Sequence, residues 1–291
     1  MAAGVPGERA SARGVALMLG SMGLLACMDA VSKVLAADYP IPQILWVRAV
    51  MFAAFAAAMA RRIGLRRAWR SGRPGLQLFR SLLMIVEMGV FVLAFTYLPL
   101  ADVHAIAASS PLLVIALAGP LLGERVSAAR WCAVVAGFAG VLAIVRPGFQ
   151  EVGPGLLIAL LGALLWAAYQ ILLRLVSRSD RSETTLLWSG VVGALALTAV
   201  GPFTWRAPDL EGWLWLALLG ALGAAAHLLL ILALEAAPAA ALQPYSYALL
   251  VAAAAVGFLG FGDAPDAWTV VGAVVIVASG LFAFCRERRP G

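Results

Sequence analysis

Ten apolar stretches, each long enough to cross a hydrocarbon layer about 30 Å thick, divide this chain. They run near residues 14–36, 41–60, 74–97, 101–122, 128–145, 153–176, 182–202, 212–236, 239–261 and 267–285. Runs of that length point to helices, because a backbone exposed to lipid must satisfy its own hydrogen bonds. Composition agrees: with 63% hydrophobic and 12% charged residues among 291, there is too little polar surface to coat a water-soluble globule. The expected class is an all-α membrane protein with ten transmembrane helices.

The arginines give an orientation. If the N-terminus is inside, the inner segments hold Arg9, Arg13, Arg61, Arg62, Arg66, Arg67, Arg70, Arg73, Arg125, Arg130, Arg174, Arg178, Arg181, Arg286, Arg288 and Arg289, and the outer side keeps Lys33, Arg146 and Arg206. An excess of Lys and Arg marks cytoplasmic loops, so both termini are expected in the cytoplasm of a bacterial-type inner membrane. The arginine-rich loop between segments two and three needs no nucleic acid, since topology alone calls for a short basic loop there. Leu24-Leu25-Ala26-Cys27 resembles a lipoprotein cleavage box, but the apolar run continues to Ala36, so no cleavage is expected. Cys27, Cys132 and Cys285 have no paired spacing and offer neither a disulfide framework nor a metal site.

The second half of the chain repeats the first. A slide of 141 residues places Lys33 on Arg174, Ala26 on Ala167 and Leu45 on Leu186, and a slide of 139 places Pro99 on Pro238 and Gly123-Glu124 on Gly262-Asp263. Removing two residues in the next loop sets Trp131 on Trp268. An odd number of crossings per unit forces the second unit to enter the membrane upside down, the arrangement of an inverted-repeat transporter. The expected division is residues 1–148 and 149–291.

Within this frame, Tyr97-Leu98-Pro99-Leu100-Ala101, Ser109-Ser110-Pro111-Leu112-Leu113, Leu122-Gly123-Glu124-Arg125, Trp131, Ala139-Gly140-Val141-Leu142 and Val145-Arg146-Pro147-Gly148 resemble the first domain of the drug/metabolite transporter superfamily, in its EamA-type ten-helix branch. Ala237-Pro238, Phe261-Gly262-Asp263, Trp268 and Ser279-Gly280 form a weaker second copy, in which Asp263 replaces the usual glutamate. In length and layout the chain is most similar to YddG-type amino-acid exporters. The resemblance implies two inverted five-helix repeats around a central cavity. Segments one, three, four, six, eight and nine would face the substrate, with five and ten at the periphery.

Charge burial picks out many of the same segments, because an ionised side chain in mid-membrane is costly, about 2.5–3.5 kcal/mol, unless it faces a cavity or a partner. Asp29 and Lys33 are spaced i, i+4 and form either a self-satisfied pair or part of a cavity wall. Glu87 is the acid nearest mid-span, and it serves either as a lock with Arg48 or as a substrate or proton site. Arg80, Arg174 and Glu235 lie near helix ends, where snorkelling or capping is the ordinary explanation. His104 falls near the outer mouth and His227 nearer the middle, each either a packed hydrogen-bonding residue or a relay. Trp166, beside Tyr169 and Gln170, is either an aromatic lip or core packing. Trp69, Trp205, Trp213 and Trp268 suit the membrane interface. Segment nine is polar through Gln243, Tyr245, Ser246 and Tyr247. Pro111, Pro120 and Pro244 interrupt segments four and nine, which makes Pro111 and Pro244 the gating candidates.

Neither a catalytic constellation nor a phosphate-cradling glycine loop is present, so neither enzyme chemistry nor ATP is expected, and the two histidines lack metal-ligand spacing. No cofactor is expected. The sequence leaves the oligomeric state open. The expected function is secondary transport, most simply export of small metabolites such as neutral or aromatic amino acids by alternating access. Alternatives are an exchanger or importer of another metabolite, such as an organic phosphate, and a non-transporting scaffold or sensor.

Overall fold

A computed structural model describes residues 11–61, 64–122, 127–145, 153–177, 179–237 and 242–287. The helices are α1 (Ala12–Asp38), α2 (Ile41–Ala60), α3 (Leu65–Ala68), α4 (Pro74–Tyr97), α5 (Leu100–Ala107), α6 (Ser110–Leu122), α7 (Ala128–Val145), α8 (Pro154–Ser177), α9 (Ser182–Thr198), α10 (Leu210–Ala236), α11 (Ala248–Phe261) and α12 (Ala267–Glu287). Two 3₁₀ turns, Gly201–Thr204 and Gln243–Tyr247, precede α10 and α11. Each of the ten apolar stretches carries a helix or a pair of helices. Six of these elements are long and apolar enough to cross a membrane, with shorter apolar helices at Trp131–Val145, Tyr245–Phe261 and Ala267–Ala283.

Local chemistry sets the helix ends. Ser11 and Asp209 cap α1 and α10 by accepting from the amides of Gly14 at 3.0 Å and Gly212 at 2.7 Å. Pro74 and Pro154 open α4 and α8, where a missing N–H costs nothing. Gly262 ends α11 at φ 73°, a left-handed cap, with its own amide bonded to the Phe258 carbonyl and the Asp263 amide to that of Gly257. Segment four is broken at Pro111 but not at Pro120: α5 stops at Ala107, α6 restarts at Ser110 with Pro111 in its first turn, and it continues through Pro120 to Leu122. Ser110 Oγ at this buried break donates to the Ala163 carbonyl of α8 at 3.1 Å. Pro244 likewise sits in the first turn of the 3₁₀ element before α11.

The helices pair across the two halves: α1 with α10, α4 with α8, α2 with α9, and α7 with α12. Exchanging the two repeats leaves this scheme unchanged, because the α1–α10 pair maps onto α8–α4 and the other two pairs onto themselves. Between lipid-facing helices apolar area drives little association, so close packing carries the contact. At the α7–α12 crossing a Cβ on Gly140 would lie 2.7 Å from the Gly272 carbonyl oxygen, which holds the two backbones together.

The pattern is inverted relative to a water-soluble protein. Phe203, Leu259 and Leu210 are 86%, 83% and 77% exposed, whereas Arg80, Gln43 and Gln77 are fully buried. An apolar exterior of this extent is suited to lipid. Aromatic clusters mark both ends. Trp69 stacks on Trp188 at 4.6 Å, and Trp205 lies between Trp46 at 5.6 Å and Trp213 at 5.9 Å.

Candidate functional site

A cavity opens between α2, α4, α9 and α10. Helical spacing aims its lining. Leu45, Arg48, Ala49 and Phe52 form one face of α2, Met84, Ile85 and Met88 one face of α4, and Ser189, Gly193 and Leu197 one face of α9. Across from α2, Gly220, Gly223 and His227 line α10, and the two glycines leave room for the Met51 and Met28 side chains packed against them. The wall is therefore apolar and sulfur-rich, with a guanidinium, a hydroxyl and an imidazole as its polar points.

The expected lining helices were segments one, three, four, six, eight and nine. Segments three and eight do line this cavity, but its other walls come from segments two and seven. Arg48 marks the α2 wall in the sequence, but the α9 face of Ser189, Gly193 and Leu197 carries no charge that would single it out.

His227 Nδ1 donates to the Gly223 carbonyl at 2.8 Å, which fixes that tautomer in the neutral ring, and the Phe52 ring lies 4.9 Å away edge-on. Arg48 stands within electrostatic reach of Asp29 and Glu87. The expected Glu87–Arg48 lock does not close. Among the described residues neither side chain makes a hydrogen bond or an ion pair within 4 Å.

The Asp29–Lys33 pair is also replaced by other partners. Lys33 Nζ bonds Asp263 Oδ2 at 2.9 Å and lies 4.7 Å from the Phe261 ring centre. The Gly262 cap explains this geometry, because the left-handed turn folds Asp263 back toward α1. Asp29 Oδ2 instead lies 3.3 Å from His104 Nε2, off hydrogen-bonding alignment, so the contact is electrostatic rather than directed. His104 is buried on α5, with Phe95 at 5.6 Å.

Arg80 overturns its expected snorkelling role. It is fully buried and donates to Gln77 Oε1, Ser81 Oγ, the Tyr169 hydroxyl at 3.1 Å, the Thr185 carbonyl at 3.2 Å and Ser189 Oγ at 2.8 Å. It thus joins α4 to α8 and α9 from inside the protein. Trp166 stacks on Tyr169 at 5.5 Å, so Tyr169 is a ligand of Arg80 with an aromatic cover. Trp166, Tyr169 and Gln170 are not among the residues lining this cavity, nor are Tyr245 and Tyr247. Tyr245 is partly exposed, and Tyr247 packs against Gly280 of α12. The side chains of Gln243, Pro244, Pro120 and Glu235, and the whole of Glu124 and Pro238, lie outside the described residues.

Two hydrogen-bonded seams lie at opposite ends of the bundle. At one end Asp180 accepts from Ser71 Oγ, from the Gly72 amide at 2.7 Å and from Gln77 Nε2 at 2.8 Å. At the other, Gln43 exchanges two bonds of 2.8 Å with the backbone of Arg206, and Arg206 Nη1 reaches the Asp38 carbonyl at 3.1 Å. The seams are counterparts under the repeat, since each ties the first interhelical loop of one half to the second interhelical loop of the other. Partial burial pushes the Asp180 carboxyl up, but the hydrogen bonds from Ser71, Gln77 and Gly72 outweigh it and leave the group below the usual carboxylate range.

Sequence reasoning singled out Arg48 and His227, which line the cavity, but missed Phe52, Met84, Met88 and Ser189. The available signal was spacing: Phe52 is four residues from Arg48, and Met84 and Met88 share a face of α4 beside Glu87. Among the described residues no group of three or more His, Cys, Asp or Glu side chains could hold a metal.

The sequence matches the EamA-like transporter family twice, over residues 12–146 and 153–285. It is 33% identical to a riboflavin transporter of Rhizobium johnstonii over 81% of this chain and 78% of that protein. An S-adenosylmethionine uptake transporter of Rickettsia prowazekii is 27% identical over 77% and 76% of the two chains. A pseudopaline exporter of Pseudomonas aeruginosa is 25% identical over 91% and 94%. A solved crystal structure superposes with a TM-score of 0.63 at 21% identity, covering 97% of this chain and 99% of that one.

Proposed function

The chain belongs to the EamA-like transporter family of small-molecule transporters, and from that premise we propose that it takes up a flat nitrogen heterocycle bearing a hydroxylated arm, of the riboflavin class. The cavity wall carries this reading. Phe52, Met84 and Met88 offer polarisable apolar surface to a ring system, and Arg48, Ser189 and His227 supply a few placed polar groups for ring heteroatoms and hydroxyls. Riboflavin and S-adenosylmethionine share this plan of a heterocycle with a hydroxylated arm, and proteins named for both are relatives of this chain. Arg48 is the one fully charged side chain among the lining residues, which suits a large, mostly uncharged solute such as riboflavin. The relatives named as uptake transporters favour uptake over amino-acid export.

In this proposal residues 1–148 and 149–291 form the two inverted halves, all ten segments cross a bacterial-type inner membrane, and both termini are cytoplasmic. Access alternates as the halves rock. The Gln43–Arg206 seam closes the outer end, the Asp180 seam closes the inner end, and the breaks at Pro111 and Pro244 absorb the motion.

The test is uptake of radiolabelled riboflavin, S-adenosylmethionine and an amino-acid panel into proteoliposomes. Saturable riboflavin uptake that Phe52→Ala and Arg48→Ala weaken through KM supports the proposal. Uptake confined to amino acids refutes it.

A further inference from the structure

Two acids, one arginine and one histidine meet beside the cavity, from four different helices. Asp29 of α1 lies 3.3 Å from His104 of α5. Glu87 of α4 lies within electrostatic reach of Asp29 and of Arg48 on α2, and Arg48 also lines the cavity. Glu87 and His104 are 4% and 7% exposed, and neither the Glu87 carboxylate nor His104 Nε2 has a hydrogen-bond partner among the described residues.

The other charged groups nearby do not balance this set. Lys33 is committed to Asp263. Arg80 is held by neutral acceptors and is not among the charges acting on Glu87. Asp102, two residues before His104, projects from the opposite side of α5 and is a further acid, not a counter-charge. The other titratable side chains near Glu87 and Arg48 are already engaged, the Tyr169 hydroxyl by Arg80 at 3.1 Å and His227 Nδ1 by the Gly223 carbonyl at 2.8 Å. With both acids ionised the cluster carries one positive charge against two negative ones. Burying that imbalance without a counter-charge is strongly unfavourable, and an added proton removes it.

We propose that Asp29, Glu87, Arg48 and His104 hold one exchangeable proton, and that this proton travels with the substrate. The proton adds to an existing lone pair, at His104 Nε2 facing Asp29, and returns to water on the opposite side, so no other bond forms or breaks. Arg48 joins the two sites, since the same guanidinium meets the cluster and the cavity. A bound substrate that draws on Arg48 weakens its hold on the two acids and favours the proton. This coupling rests on the proposed uptake function.

The experiment reconstitutes wild type, Asp29→Asn and His104→Gln in liposomes containing a pH-sensitive dye. In wild type an inward proton gradient should accumulate radiolabelled riboflavin, with matching acidification of the lumen. Each variant should lose gradient-driven accumulation by on the order of tenfold, an ordinary coupling between two sites. Riboflavin counterflow at equal pH persists, since neither residue lines the cavity, and it certifies the fold. Wild-type counterflow without gradient-driven accumulation overturns the coupling and leaves the uptake function standing. Flux driven by sodium alone overturns it too, as does S-adenosylmethionine, a permanent cation, moving in place of a proton. If no compound moves, the uptake function falls, and substrate-free protein judges the proton site. Acidified from about pH 8 to pH 6, across the range where histidine changes charge, wild type should bind about one proton more than the Asp29→Asn, His104→Gln double variant. Equal binding overturns the proposal.

Discussion

Replacing Asp180 by alanine should open the end of the bundle that the proposed topology places in the cytoplasm. The carboxylate accepts three hydrogen bonds, from Ser71, Gly72 and Gln77, and bonds to a charged acceptor contribute about 1.5–3 kcal/mol each when fully formed. Asp180 is only partly buried, so water replaces much of what is lost. The net cost to the closed seam is then about 2 kcal/mol, which shifts the closed-to-open ratio roughly 30-fold. The assay uses Ala224→Cys on the cavity wall, in a background with Cys27, Cys132 and Cys285 replaced, and a membrane-impermeant maleimide applied from each side. Asp180→Ala should speed labelling from the cytoplasmic side and slow it from the other. Gln43→Ala, at the counterpart seam, should do the reverse. Two seams shifting access in the same direction, or no change in either, would refute this reasoning. Acidity provides a check of sign. The carboxyl lies below its ordinary range near 4, so its contribution is complete above that value and lost only as pH falls through the lowered one. The Asp180 seam should therefore be insensitive to pH near neutrality, and any neutral-range pH dependence of flux has to come from elsewhere.

Arg80→Lys should destabilise the protein by about 2–4 kcal/mol, seen as a lower Tm in detergent, because an ammonium cannot reach the acceptors that a guanidinium fork holds together. Gly140→Ala places a methyl against the Gly272 carbonyl, which cannot yield, and should cost about 1–3 kcal/mol, whereas Gly220→Ala meets the flexible end of Met51 and should cost under about 1 kcal/mol. Their relative order in a thermal-shift series checks the helix crossings. Asp263→Ala should cost about 1 kcal/mol, given the partial exposure of its pair with Lys33, and the Lys33→Asp, Asp263→Lys exchange should recover most of it in the same assay.

Helix positions were legible because two local signals coincide in this chain: apolar length and the prolines and glycines that end it. The expectation of a helix over 74–97 matches α4 at Pro74–Tyr97, and that over 128–145 matches α7, since Pro74 and the polar loops around them leave little freedom. Partner choice was not legible, since it depends on residues far away in sequence. Lys33 has a sequence-near acid in Asp29, yet it pairs with Asp263, 230 residues on, because Gly262 turns the chain back. Arg80 sits one or two turns into its helix, where snorkelling is the common outcome. Only the approach of α8 and α9, bringing Tyr169, Thr185 and Ser189, makes burial affordable. The cavity wall was half legible. Arg48 and His227 stand out by charge in an apolar segment, but Met84 and Met88 look like lipid-facing or core residues until α2 and α10 are placed opposite them.

The most direct test of the uptake function is riboflavin counterflow in proteoliposomes, comparing wild type with Phe52→Ala. Saturable exchange in wild type, with KM raised several-fold by the loss of one aromatic wall worth about 1 kcal/mol, is the expected result. Exchange of amino acids in place of riboflavin, or riboflavin exchange indifferent to Phe52, would contradict it.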